Sequence, residues 1–219
     1  MPLNIFNHEV PMSEIPNYEQ AKQYFEERLN VHGATARGVD WNSETAQEIR
    51  FSQLARVIDP SAPFSLLDYG SGYGALAGYL LRRGLPMQQY TGYDILESMV
   101  VKAREVFADQ AQCAFTHRFE DLAPVDYAIA SGIFNLKLDT PYGTWTNYVV
   151  HELEKMHELS HKGFSANFLT KYSDPEYMRP NLYYADPCFL FDYCKVHFSR
   201  NVALLHDYEV YDFTLIVRK

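Results

Sequence analysis

Cysteine is scarce in this 219-residue sequence: Cys113, Cys188 and Cys194 make an odd three, and no two share a C-x-x-C spacing. Neither a disulfide framework nor a thiolate metal site has its usual signature, so reduced thiols are expected. Basic residues are also few, 19 against 28 acidic, for a formal charge of −9. Affinity for a phosphate backbone rests on clustered Lys and Arg. Here Arg82-Arg83 and Arg218-Lys219 are isolated pairs, so no nucleic-acid partner is expected. No apolar run approaches the roughly 20 residues of a bilayer span, and no membrane association is expected. The opening MPLNIFNHEV has neither the basic patch nor the apolar stretch of a signal peptide. With the reduced thiols, this points to the cytoplasm. Internal repeats and low-complexity tracts are missing too, and the length suggests one domain over 1–219.

Aromatic residues, by contrast, abound: 17 Tyr, 14 Phe and 2 Trp. With 47% hydrophobic and only 21% charged residues, the chain has the material for a core and does not read as disordered. Its first third is helical. Residues 18–31 carry apolar positions at helical spacing before Gly33, and Asn42 or Ser43 can cap a second helix that runs towards Pro60. From residue 64 strands and helices alternate. FSLLDY is an apolar run suited to a strand covered on both faces, and ALAGYLLRR is a helix. QYTGYDI, ESMVVKAREVFAD, CAFTHRF and VDYAIASGIF continue the alternation. TWTNYVVHELEKMHELSHK reads as a long helix ended by Gly163, and FSANFLT as the next strand. Asp186-Pro187 start a helix through His197, with Pro at its first position. NVALLHDY and VYDFTLIVRK close the chain as two strands joined without a helix, hence antiparallel. The expected class is α/β: a doubly wound, mostly parallel seven-stranded sheet with an antiparallel C-terminal hairpin. A helical cap over 1–59 precedes this Rossmann-like core at 60–219.

The first strand runs into Asp68-Tyr69-Gly70-Ser71-Gly72-Tyr73-Gly74 and then into a helix. Glycines permit positive φ and let a ligand lie against bare backbone, and the helix N-terminus offers free N–H groups. At the end of the second strand stands Asp94, placed to accept hydrogen bonds from two ribose hydroxyls. Gly72-Tyr73-Gly74-Ala75-Leu76-Ala77 also satisfies G-x-G-x-x-A, so a nicotinamide dinucleotide-dependent oxidoreductase is a competing reading. Against it stand Asp68 just before the glycines, two helices ahead of the first strand, and the final hairpin.

Together, D-x-G-x-G-x-G, the acid after the second strand and the terminal hairpin resemble the class I, seven-stranded S-adenosylmethionine-dependent methyltransferases, over roughly residues 60–219. The resemblance implies that S-adenosyl-L-methionine is the cofactor. Asp68 would orient its amino group, while Gly70, Ser71, Gly72 and Gly74 would line its amino-acid part. Asp94 would hold the ribose, and Ile95 and Leu96 would flank the adenine. After the third strand, Phe119 would stack on adenine and Glu120 accept from it. Ser131 and Gly132 fall where such a sheet meets cofactor and substrate. In the helical lead-in, Trp41 is placed to close over the methionine moiety. Arg50 either pairs with the cofactor carboxylate or is simply solvated.

His157-Glu158-Leu159-Ser160-His161 matches H-E-x-x-H, the signature of many zinc hydrolases. At about 100° per residue, however, Trp145, Tyr148, Val149, Leu153, Met156 and Leu159 form one apolar stripe. Both histidines fall outside it on the solvent side, and no metal is expected. The acceptor should sit at the carboxyl ends of the strands. The segments there, 131–147 and 170–187, are long and aromatic, and supply Phe134, Asn135, Trp145 and Tyr172 as candidate substrate contacts. The expected reaction is methyl transfer to a small or medium-sized molecule, at oxygen or nitrogen. No catalytic side chain stands out, so a non-catalytic cofactor-binding domain remains an alternative.

Overall fold

The structure is a computed structural model, and it describes residues 18–39 and 43–219. Two helices lead: α1 (Tyr18–His32) and α2 (Glu44–Leu54). The Ser43 hydroxyl accepts the Ala46 N–H and so starts α2, as a serine N-cap should. Then come β1 (Phe64–Tyr69), α3 (Ala75–Arg82), β2 (Met87–Tyr93), α4 (Glu97–Val106), β3 (Cys113–Thr116), β4 (Val125–Ala130), α5 (Tyr142–Glu158), β5 (Ser160–Leu169), α6 (Pro187–His197), β6 (Asn201–Leu205) and β7 (Asp212–Arg218). The seven strands form one sheet in the order β3-β2-β1-β4-β5-β7-β6. The first five are parallel, and β7 runs antiparallel between β5 and β6. This is the expected mixed sheet with its closing hairpin.

Each sheet face carries its own core. On one, Leu66, Tyr90, Tyr127 and Ile129 meet Leu54 of α2, Leu76 and Leu80 of α3, and Val100 of α4. On the other, Leu67, Ala128, Phe164 and Phe213 meet Val149, Leu153 and Met156 of α5, and Leu190 of α6. Strands buried on both faces explain why β1 and β4 read as continuous apolar runs. Asp186 accepts from the N–H groups of Cys188 and Phe189 and caps α6, with Pro187 at its first position.

Some boundaries differ from the sequence expectation. The helix predicted to reach Gly163 stops at Glu158, and β5 begins at Ser160. Sheet pairing outcompetes helix propensity there: Val125 N–H donates to Leu159 O at 3.0 Å, and Gly163 lies opposite Arg218 of β7. Gly163 is a strand residue under close approach, with φ at +151° and Val217 O only 2.3 Å from where a Cβ would sit. His161 therefore belongs to a strand, not to the helix that carries His157. The third strand, expected to run to Phe119, stops at Thr116, and Phe119–Asp121 form a 3₁₀ turn.

Candidate cofactor and acceptor site

The turn after β1 is built by three positive-φ glycines, Gly70, Gly72 and Gly74. Gly70 and Ser71 both donate their N–H to Tyr93 O, at 2.7 and 2.8 Å, which ties the turn to the end of β2. Asp94 completes the tie. Its Oδ2 accepts the Gly72 N–H at 2.8 Å, and its Oδ1 accepts the Leu96 N–H at 2.9 Å. One carboxylate thus fixes both loops that meet at the carboxyl ends of adjacent strands, and it stays half-buried at the cavity wall.

Above this turn opens a cavity of about 470 Å³, of the size that holds small ligands. Of the residues expected at a cofactor, Asp68, Gly70, Ser71, Gly72, Asp94, Ile95, Leu96, Phe119, Ser131 and Gly132 line it. Asp68 is buried and receives the hydroxyl proton of Tyr90. Burial pushes its carboxyl up to about 7; the Tyr90 hydrogen bond opposes the rise, and the negative charge of Asp94 adds to it. Two polar atoms in the same wall are buried without a partner, Ser131 Oγ and His117 Nδ1. Orphaned donors and acceptors in a cavity are what a polar ligand satisfies. The cradle of glycine backbone, acids and orphaned polar atoms fits a nucleoside carrying an amino-acid tail.

Other sequence expectations are corrected. Arg50 does not reach the cavity: its Nε and Nη2 donate to Asp212 of β7 at 3.0 and 2.6 Å, deep in the fold. Gly74 faces Phe107 and Phe115, with Phe107 Cε2 only 2.6 Å from an added Cβ. Glu120 sits exposed in the 3₁₀ turn, outside the cavity wall. Phe134 is wholly buried, stacked on Phe168 at 5.0 Å. Asn135 turns its Oδ1 onto the Leu169 N–H at 3.1 Å, which makes it a loop clamp. Tyr172 stands exposed beside Lys171 and His206, away from the cavity. Only Trp145 of the four candidate acceptor contacts lines the wall. Trp41 lies outside the described residues. Within H-E-x-x-H, the His157 ring stacks on Phe198 at 4.8 Å, so it is half-buried packing and not a solvated helix face, while His161 is exposed on β5.

The α5 side of the cavity had no motif to announce it. The Tyr69 hydroxyl donates to Glu152 Oε2 at 2.5 Å, and Lys155 Nζ donates to Glu152 Oε1 at 2.8 Å. Lys155 also lies 5.4 Å from the Phe119 ring centroid, and Tyr93 bridges Tyr69 and Phe119. Burial, with the charges of Glu152 and Asp94, pushes the Tyr93 hydroxyl up to about 12. Helix α1 closes the cavity from above with Gln20, Lys22 and Phe25.

No family model matches the chain. Over 164 residues, 75% of this chain and 98% of the relative, it is 45% identical to "Putative methyltransferase Rv1506c" of Mycobacterium tuberculosis (strain ATCC 25618 / H37Rv). The chain belongs to the same methyltransferase family. Solved methyltransferases share its fold. The N-methyltransferase NodS from Bradyrhizobium japonicum WM9, in complex with S-adenosyl-L-homocysteine, matches with a TM-score of 0.64 at 11% identity, over 90% of this chain and 97% of that one. The DhpI–SAH complex matches with a TM-score of 0.62 at 13% identity, over 91% and 96%. In this methyltransferase, the glycine turn, Asp68 and Asp94 stand at the carboxyl ends of β1 and β2, where an open α/β sheet binds its ligands.

Proposed function

We propose that this methyltransferase moves a methyl group from S-adenosyl-L-methionine to a small or medium-sized acceptor, at oxygen or nitrogen. The observation that carries the reading is the Asp94 carboxylate, locked onto the Gly72 N–H at the cavity wall, with Asp68 buried behind the same turn. The cofactor would supply an activated methyl group on a positively charged sulfur. Asp68 would hold its ammonium, Asp94 its ribose hydroxyls, and Ile95, Leu96 and Phe119 its base. Gly70 and Gly72 give it bare backbone, and Ser131 and Gly132 border the reacting end.

Displacement at a charged sulfonium needs alignment more than acid–base help. The chain contributes apolar side chains to the cavity wall, Phe25 of α1 and Trp145 and Tyr148 of α5, that would shield the reacting atoms from water. The described helices ahead of β1 would act as a cap on a single domain, with α1 as the roof. Among the described residues no helix is long and apolar enough to cross a membrane. With the acidic charge and unclustered basic residues, this supports a cytoplasmic enzyme working on a free small molecule rather than on nucleic acid.

Thermal unfolding with S-adenosylhomocysteine and with NADH, added separately, tests the reading. At about 100 times its dissociation constant, a ligand stabilises by roughly 2.7 kcal/mol, which for this length raises the melting temperature by about 5–10 °C. The rise is expected with S-adenosylhomocysteine alone. A rise with NADH instead would return the glycine turn to the dinucleotide reading.

A further inference from the structure

Among the described residues, the lysines of the cavity wall pair with carboxylates, with one exception. Asp68 receives the Tyr90 hydroxyl, Asp94 receives two backbone N–H groups, and Glu152 receives Tyr69 and Lys155. Lys22 of α1 pairs with Glu19 at 3.1 Å. Lys137, in the loop between β4 and α5, is half-buried, and among the described residues no carboxylate meets it. Its Nζ donates to two carbonyls of its own loop, Leu138 O at 3.1 Å and Thr140 O at 3.3 Å. An ammonium has three donors, so one remains for a ligand or for solvent.

The loop is bent to hold that ammonium in place. Leu138 has φ at +50°, a conformation that leucine disfavours. The bend is kept by Asn181 O, which accepts the N–H of both Lys137 and Leu138, at 3.1 and 2.9 Å. Strain held at a cavity wall by outside hydrogen bonds is characteristic of ligand clamps. Apolar side chains share the wall of the same cavity, among them Leu136 and Leu138 of this loop, Trp145 and Tyr148 of α5, and Phe25 of α1. Asp68 and Asp94 are assigned to the cofactor, and Lys137 lies in the 131–147 segment after β4, where the acceptor is expected.

We infer that the methyl acceptor is an apolar or aromatic molecule carrying an oxyanion, a carboxylate or a phosphate, and that Lys137 receives this anion. The inference rests on the methyltransferase reading, and it runs against the net negative charge of the chain.

The test uses the full chain saturated with S-adenosylhomocysteine, titrated calorimetrically with paired probes: 4-hydroxybenzoate against 4-hydroxybenzamide, and phenyl phosphate against phenol. The wild type should bind the anionic member of at least one pair about ten-fold or more tightly than its neutral partner, the usual scale of a hydrogen bond to a charged group. The pair that shows the preference separates carboxylate from phosphate. Lys137→Met should erase that preference while its affinity for S-adenosylhomocysteine stays within about two-fold of wild type, which also shows that the variant is folded. Equal or tighter binding of the neutral probes, no binding of any anionic probe, or a preference that survives in Lys137→Met would overturn the inference. A wild-type chain that does not bind S-adenosylhomocysteine at all fails one step earlier and overturns the cofactor assignment as well.

Discussion

Tyr90 of β2 donates its phenolic proton to the buried carboxyl of Asp68 on the adjacent strand β1. The pair sits directly behind the glycine turn, so the protonation of Asp68 is coupled to what the turn can hold. The ordinary value of 3.8 applies to the unfolded chain, whereas the folded carboxyl keeps its proton to about pH 7. Between these values the folded state binds a proton that the unfolded state has released. This stabilising contribution is full below the unfolded value and lost as pH rises through about 7. A bound ammonium requires the ionised carboxylate. Affinity for S-adenosylhomocysteine should therefore rise as pH climbs towards 7, by up to about ten-fold per unit, and level off above it. Calorimetric titrations across this range check the profile, and Asp68→Asn should bind weakly with no such slope. A flat wild-type profile would separate Asp68 from the cofactor's ammonium.

Arg50 and Asp212 anchor a buried chain of hydrogen bonds that ends at the cavity. Asn167 Nδ2 donates to Asp212 at 2.7 Å, and Asn167 Oδ1 accepts the Gly132 N–H at 2.9 Å. Removing the arginine alone strands a buried carboxylate. Arg50→Met should cost about 3–5 kcal/mol, a fall of roughly 10 °C in melting temperature for a chain of this size. Pairing it with Asp212→Asn, which removes the charge and keeps an acceptor for Asn167 Nδ2, should recover part of the loss. Differential scanning calorimetry of the two variants decides the matter, and a double variant no more stable than the single would show that the ion pair is not what Arg50 supplies.

Gly70 is held at φ +85°, and an added Cβ would lie 2.1 Å from Ile133 Cγ2. Gly70→Ala combines a left-handed backbone penalty with overpacking against the loop after β4, together about 2–4 kcal/mol. The variant should melt lower and bind S-adenosylhomocysteine more weakly. If both properties match wild type, the turn tolerates a side chain and does not act as a close-fitting cradle.

The parts of the site that were legible in the sequence are contiguous in it. Asp68 to Gly72 form one turn, and Asp94 stands at a fixed step after the next strand, because local backbone geometry demands particular residue types there. Glu152 carried no signal of its own in the sequence, because its meaning depends on the Tyr69 hydroxyl, 83 residues away. Arg50 looked like a helix-surface cation because its partner lies 162 residues away. Asn135 and Phe134 looked like acceptor contacts because their position after β4 is right, but their side chains turn inward to Leu169 and Phe168. The end of α5 was misread because sheet pairing with β4 and β7, and not helix propensity, sets it. Alternation of elements fixed the order of the fold, while tertiary partners decided which side chains face the cavity.

The central claim is that the cradle of the glycine turn and Asp94 binds S-adenosylmethionine. The most direct measurement is calorimetric titration of S-adenosylhomocysteine into the wild type and into Asp94→Ala, with NADH as competitor. We predict one site per chain in the wild type, undisturbed by NADH, and affinity reduced at least about ten-fold in Asp94→Ala by loss of a charged hydrogen-bond acceptor. Equal affinity in the two proteins, or displacement by NADH, would contradict it.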